Sequence, residues 1–136
     1  MRRVKRASKI YFRKMELNKK RENPPIYTVL SEIVGWTLDR TADFPKSQRF
    51  TFGQRLDGLS LDALQFAVKA IRGRQRAAKA KHLHELDSVL EQLRVLWRLV
   101  NERGWISRQQ LVFIQGRLDE TGRMVGGWIG QLGAAE

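Results

Sequence analysis

The side chains best suited to chemistry are few. Two histidines, His82 and His84, occur in "HLHEL". Residues two apart fall on different faces of a helix, whereas helical metal ligands need spacings of three or four. A di-iron carboxylate site would require Glu-x-x-His pairs, and no glutamate precedes either histidine by three. Both read as solvated surface histidines. "LDETGR" sets Asp119 and Glu120 ahead of Arg123. That is the pattern of an intrahelical ion pair worth about 0.2–0.5 kcal/mol; acid–base work would need a pocket that shifts their pKa values. There is no cysteine nucleophile and no glycine-rich phosphate loop. The expectation is a protein without catalytic residues, metal or cofactor.

What the chain does have is positive charge. Its 136 residues carry a net charge of +12. That charge implies attraction to nucleic acid, an anionic membrane or an acidic protein, and says nothing of fold. Residues 1–23 hold ten cations and two acids, a net of +8. A second group, Lys46, Arg49 and Arg55, lies in "FPKSQRFTFGQRL". A third, Arg72, Arg74, Arg76, Lys79 and Lys81, fills "RGRQRAAKAK" without one acid. Arg94 and Arg98, in "LRVLWRLV", flank an apolar seam, with Glu91 an obvious partner for Arg94. Three cationic runs in a small chain point to phosphate. No zinc-finger spacing or RNP-type aromatic set accompanies them, so charge and shape rather than sequence should govern recognition of RNA, and of DNA by the same chemistry.

These residues need a scaffold. The 42% apolar content is that of a globular chain, and the absence of cysteine fits a reducing cytoplasm. No apolar run approaches the roughly 20 residues of a membrane span, and no apolar stretch follows the N-terminal charges as a secretory signal requires. The Arg-rich start also has the composition of an organellar transit peptide, and Met15 stands as an alternative start.

The spacing predicts four helices after the tail. The first opens at Pro25, a residue suited to the first helical position, and carries Ile26, Val29, Leu30, Ile33 and Val34 to about Asp39–Ala42. The second runs from Pro45 or Ser47 to Arg72 on Leu56, Leu59, Ala63, Phe66 and Ala70, with a break near Ser60 an open alternative. Arg72–Lys81 reads equally as a loop or as a helical extension. The third carries Leu83, Leu86, Leu90, Leu93, Trp97 and Val100, widened by Val89, Leu96 and Leu99, and stops at Arg103–Gly104. The fourth starts at Ser107, with Gln110 completing a capping box and Ile106 and Leu111 placed as a hydrophobic staple. Leu111, Ile114, Leu118, Thr121, Val125, Trp128 and Leu132 continue it. With no strand signal, the pattern is all-α: an antiparallel four-helix bundle over 24–132, preceded by the basic tail 1–23 and followed by the short end 133–136.

Gly122, Gly126 and Gly130 share one face of the fourth helix, beside Trp128. Three glycines cost a helix about 2–3 kcal/mol against alanine. Such a stripe reads either as a close helix or subunit contact or as a frayed end where propensity matters little. Around the second helix start, Asp39, Asp43 and Asp57 are the carboxylates within reach of Arg49 and Arg55.

Four stretches in order, "FPKSQRFTFGQRL", "LEQLRVLWRLV", "WIS" and "LDETGRMVGGWI", span about Pro24 to Gly130. Together they resemble a bacterial four-helix-bundle family. That family contains the accessory variability determinant (Avd) proteins of diversity-generating retroelements, and proteins encoded by intervening sequences of large-subunit ribosomal RNA genes. Residues 1–23 lie outside the pattern. The resemblance implies barrel-shaped homopentamers with positively charged surfaces. It also implies a non-enzymatic role: binding a reverse transcriptase and its template RNA in mutagenic cDNA synthesis. Arg94 and Arg98 match the family's basic ridge. The alternatives are an orphan, intervening-sequence-type member with an RNA-related role and a basic protein held on a membrane surface by its tail.

Overall fold

The computed structural model describes residues 25–134. Residues 1–24, which include the basic tail 1–23, and the last two residues lie outside the described residues. Four α-helices and no strand are present among the described residues: α1 (Pro25–Thr41), α2 (Gln54–Arg72), α3 (Arg76–Glu102) and α4 (Arg108–Ala134). Helix α1 packs on α2, α2 on α3, α3 on α4, and α4 closes back on α1.

Specific contacts fix the directions. Arg117 on α4 pairs with Glu32 on α1 at 3.1 Å, and Phe113 meets Trp36 with ring centroids 5.9 Å apart. Four residues forward on one helix is thus four back on the other, so α1 and α4 are antiparallel. Phe66 on α2 stacks on His82 of α3, whereas Arg55 shares a cleft with Ser88, Gln92 and Val95, which makes α2 and α3 antiparallel too. The α3–α4 hairpin is closed by Gln115 Nε2 donating to the Arg94 carbonyl at 3.0 Å and Asn101 Nδ2 donating to the Ile106 carbonyl at 3.2 Å.

The core follows the heptad-like spacing. Leu83, Leu86, Val89, Leu90, Leu93, Trp97 and Val100 are all buried on α3. Each such side chain removed from water contributes roughly 1.5–3 kcal/mol. Leu99, expected to widen that stripe, is exposed instead. On α2 the deep residues are Leu56, Leu59, Ala63, Ala67 and Ala70, with Phe66 only half-buried. The alanines let α2 come close to its neighbours. No break occurs at Ser60: its hydroxyl donates to the Asp57 carbonyl at 2.9 Å and the helix runs on.

Both ends of the α3–α4 hairpin follow from local chemistry. Gly104 takes φ +78°, its N–H donates to Asn101 and the Trp105 N–H to Val100, the pattern of a Schellman stop. Ser107 Oγ accepts from the Gln110 N–H at 3.1 Å, and Gln110 Oε1 accepts from the Ser107 N–H at 2.8 Å. This is the expected capping box.

The entry to α2 differs from a plain helix start. Pro45 precedes a 3-10 turn, Lys46–Gln48, which passes into a π-turn, Arg49–Gly53, before α-geometry sets in. Aromatic packing explains the irregular path. Phe44 is buried against Trp97 and Trp105, and Phe52 meets Trp105 edge-on with centroids 5.5 Å apart. Two anchors eight residues apart must both reach the same end of the bundle, and an uninterrupted helix could not start at Pro45 and satisfy both.

Candidate nucleic-acid interface

The two cationic runs of the bundle lie at its opposite ends. Lys46, Arg49 and Arg55 are exposed on the turn that leads into α2 and on its first residues. Arg72 closes α2, Arg74 sits in the three-residue link, and Arg76 opens α3. All three are exposed, as is Lys81. Helix α2 spans 19 residues, roughly 28 Å at 1.5 Å per residue, so one chain does not join these groups into a single patch. The Arg72–Lys81 run is not a loop: only Gly73–Gln75 lies between helices. Lys79 is half-buried, its Nζ donating to the Ile71 carbonyl at 3.4 Å, which satisfies an end of α2 rather than projecting to solvent.

The two arginines of α3 have different surroundings. Arg94 is half-buried and spends its guanidinium within the chain. Nη1 donates to Glu91 at 3.0 Å, Nε donates to Asp119 on α4 at 3.0 Å, and Nη2 donates to the Leu118 carbonyl at 3.3 Å. Arg98, one turn later, is exposed and has no ion-pair partner among the described residues. The acid pair in "LDETGR" is likewise divided. Asp119 serves Arg94, and Glu120 pairs backward with Arg117 at 3.1 Å. Arg123, expected as the partner, is exposed and in no ion pair among the described residues.

The carboxylates near the second cationic group are also committed elsewhere or distant. Thr41 Oγ1 donates to Asp57 at 2.6 Å, tying the end of α1 to the first turn of α2. Among the described residues, neither Arg49 nor Arg55 lies within ion-pair distance of Asp39, Asp43 or Asp57. Asp57 is also the only acid in the first turn of α2, and the first turns of α1, α3 and α4 have none. Helix N-termini carry partial positive charge, so fixed dipoles add to the unpaired side chains.

Of the glycine stripe, only Gly122 faces another helix of the chain. A Cβ there would stand 2.6 Å from Arg94 Nη2, whereas one at Gly126 or Gly130 would meet nothing within 4 Å. The helix continues through all three to Ala134. Trp128 is half-buried and lines an apolar cleft of about 350 Å³ with Ile71, Leu83 and Leu132, at the end where Lys79 lies.

His82 Nδ1 lies 3.5 Å from Glu85 Oε2, and among the described residues no group of three metal-ligating side chains converges. Tyr27 has its hydroxyl pKa raised by burial, an effect that nearby Arg72 partly offsets. No helix among the described residues is long and apolar enough to cross a membrane.

One exposed aromatic belongs to no apolar stripe of the chain. Phe50 is 85% exposed in the middle of the basic turn. The residues three and four before Leu56 are Gly53 and Phe52, so Phe50 is off the buried stripe, a signal present in the sequence. A family model described as bAvd-like matches residues 26–132. The chain belongs to the bAvd-like family. The match covers nearly all of the four-helix core and both turns that carry exposed cations, and it agrees with the resemblance carried by the four sequence stretches. No curated relative and no solved structure matches the chain. In this bAvd-like bundle, then, the exposed cations and Phe50 are features of the matched region itself.

Proposed function

We propose that this bAvd-like chain is a non-enzymatic accessory subunit of a diversity-generating retroelement. It assembles as a homopentamer and holds a reverse transcriptase and its template RNA together for mutagenic cDNA synthesis. The observation that carries the reading is family membership over 26–132, in a bundle whose described carboxylates leave Arg49, Arg55 and Arg98 unpaired. Pentameric assembly would bury the exposed apolar side chains on the flanks of α3 and α4, Val95, Leu99 and Val112, and would face Gly126 and Gly130 with a second backbone. Lys46, Arg49, Arg55, Arg72, Arg74, Arg76, Lys81 and Arg98 are the phosphate- or polymerase-facing cations. Arg94 acts by fixing α3 against α4 beside them. The site of action is the cytoplasm.

Copurification with the reverse transcriptase encoded beside it, with and without nuclease, tests the function. Capture of the polymerase and of its template RNA, by a species with the native mass of five subunits, is the expected result. A solitary chain in solution that captures neither partner at modest ionic strength would overturn the proposal.

A further inference from the structure

Phe50 calls for an occupant. An aromatic ring left 85% in water sits on a turn whose neighbouring aromatics, Phe44 and Phe52, are drawn inward against Trp97 and Trp105. Those two anchors hold the turn in place, so Phe50 is presented by a fixed support. Beside it runs an open cleft of about 360 Å³ along α2, lined by Phe50, Arg55, Gly58, Leu59 and Asp62 among others. That volume is at the small end of ligand clefts, which span roughly 300–1,000 Å³. Its floor is Gly58 and Leu59, and a Cβ at Gly58 would meet nothing within 4 Å. Gln54 supplies a side-chain amide to the same cleft, whereas the Thr51 hydroxyl donates to Gln48 Oε1 at 2.9 Å and is left only as an acceptor.

We infer that this cleft binds one unpaired nucleotide of single-stranded RNA, its base stacked on Phe50 and its phosphates held by Arg49, Arg55 and Lys46. The inference rests on the RNA-binding reading above and adds to it a place, a strand state and a residue. Each part of the cleft matches one part of the nucleotide. An exposed aromatic face accepts any base, because every base has a π-face. Arg55 in the lining, with Lys46 and Arg49 exposed on the adjoining turn, provides the charge for the backbone, and among the described residues no carboxylate pairs with any of the three. Asp62, exposed at the far end of the cleft along α2, repels a phosphate from that end, which turns the base toward it, and its carboxylate accepts from the exocyclic amino groups of cytosine, adenine or guanine. A duplex is a poor occupant, since its base faces are already covered and only an unstacked base can lie on Phe50. A protein segment covering Phe50 would leave the surrounding cations without counter-charge unless it were acidic.

The test uses the full chain and its Phe50→Ala, Phe50→Trp and Gly58→Met variants. Binding is measured to a labelled single-stranded RNA of about 12 nucleotides, within the footprint of such sites, to the matching duplex, and to an abasic ribose-phosphate strand of equal charge. Phe50→Ala should weaken binding of the intact single strand by roughly 5- to 150-fold, leaving duplex binding, abasic-strand binding and native mass unchanged. Phe50→Trp should bind as the native chain does. Gly58→Met, which fills the floor without entering the core, should reproduce the loss. Equal binding of the single strand by Phe50→Ala, or an equal loss on the abasic strand, overturns the inference while the RNA-binding reading stands. A fall in native mass on Phe50→Ala assigns the ring to a protein contact and overturns it as well. If the native chain binds none of the three ligands, both readings fall.

Discussion

Arg94 and Arg98 are one helical turn apart, equal in charge and indistinguishable in the sequence except for Glu91. Their surroundings separate them. Arg94 makes three charge-assisted bonds, to two carboxylates and a carbonyl. Its removal should cost about 1–2 kcal/mol, since both acids are themselves exposed and screened. Lysine should not restore it, because a single ammonium cannot serve three directions as a planar fork does. Thermal unfolding of Arg94→Ala and Arg94→Lys checks this; a melting temperature equal to the native one would refute it. Arg98→Glu should leave the melting temperature within error and weaken capture of the partner complex. The same reversal at Arg94 sets a third acid beside Glu91 and Asp119 and confounds stability with binding. Tyr27 adds a pH effect. Its raised hydroxyl pKa means that the folded chain keeps a proton the unfolded chain releases. Its contribution is therefore intact below the ordinary value of 10.0 and declines as pH rises from there through the folded value. Tyr27→Phe should remove that part of the alkaline decline in a pH series of melts.

At the scale of elements, α4 carries a contrast within one stripe of glycines. Gly122 is packed against the Arg94 guanidinium, so a methyl group there must displace a side chain held by three bonds. Gly126 and Gly130 meet nothing, so alanine at both should add helix propensity worth about 2 kcal/mol in total. Gly122→Ala should accordingly lower the melting temperature while Gly126→Ala with Gly130→Ala raises that of the isolated chain. If the double variant also reduces native mass, those two positions face another subunit; a raised melting temperature with unchanged mass leaves them as open surface. The four helices, the Schellman stop and the capping box were legible because each rests on chemistry within a few residues: apolar spacing, a glycine able to adopt positive φ, a serine three before a glutamine. The 3-10 and π-turns before α2 were not. They arise from Phe44 and Phe52 both reaching Trp105, a residue far along the chain on the α3–α4 connection. Likewise, spacing alone could not show that Asp119 serves α3 rather than Arg123, or that Thr41 holds Asp57.

For the whole molecule, the decisive quantity is how charge is distributed in space. The two exposed cationic groups of the bundle are separated by roughly 28 Å, the length of α2. The screening length is about 10 Å at 0.1 M ionic strength. On one chain they therefore act as separate, weak sites. A ring of copies changes this by repeating each group around a circumference, so that one RNA can touch several at once. Linked weak sites raise affinity by about 10²–10⁴-fold without any new interaction. Breaking the assembly should then cost far more binding than the altered residues themselves could contribute. Leu99→Glu with Val112→Glu places acids on exposed apolar positions of α3 and α4, where neither side chain supports the core of its own chain. The variant should keep its helical content and melting behaviour, fall to the mass of one subunit, and lose RNA affinity by about that avidity factor. The slope of log affinity against log salt should flatten as well, by about 0.7 for each single-strand phosphate that the monomer no longer neutralises. A monomeric variant that binds RNA with the native affinity and salt slope would show that one bundle suffices, and the multivalent account would fail.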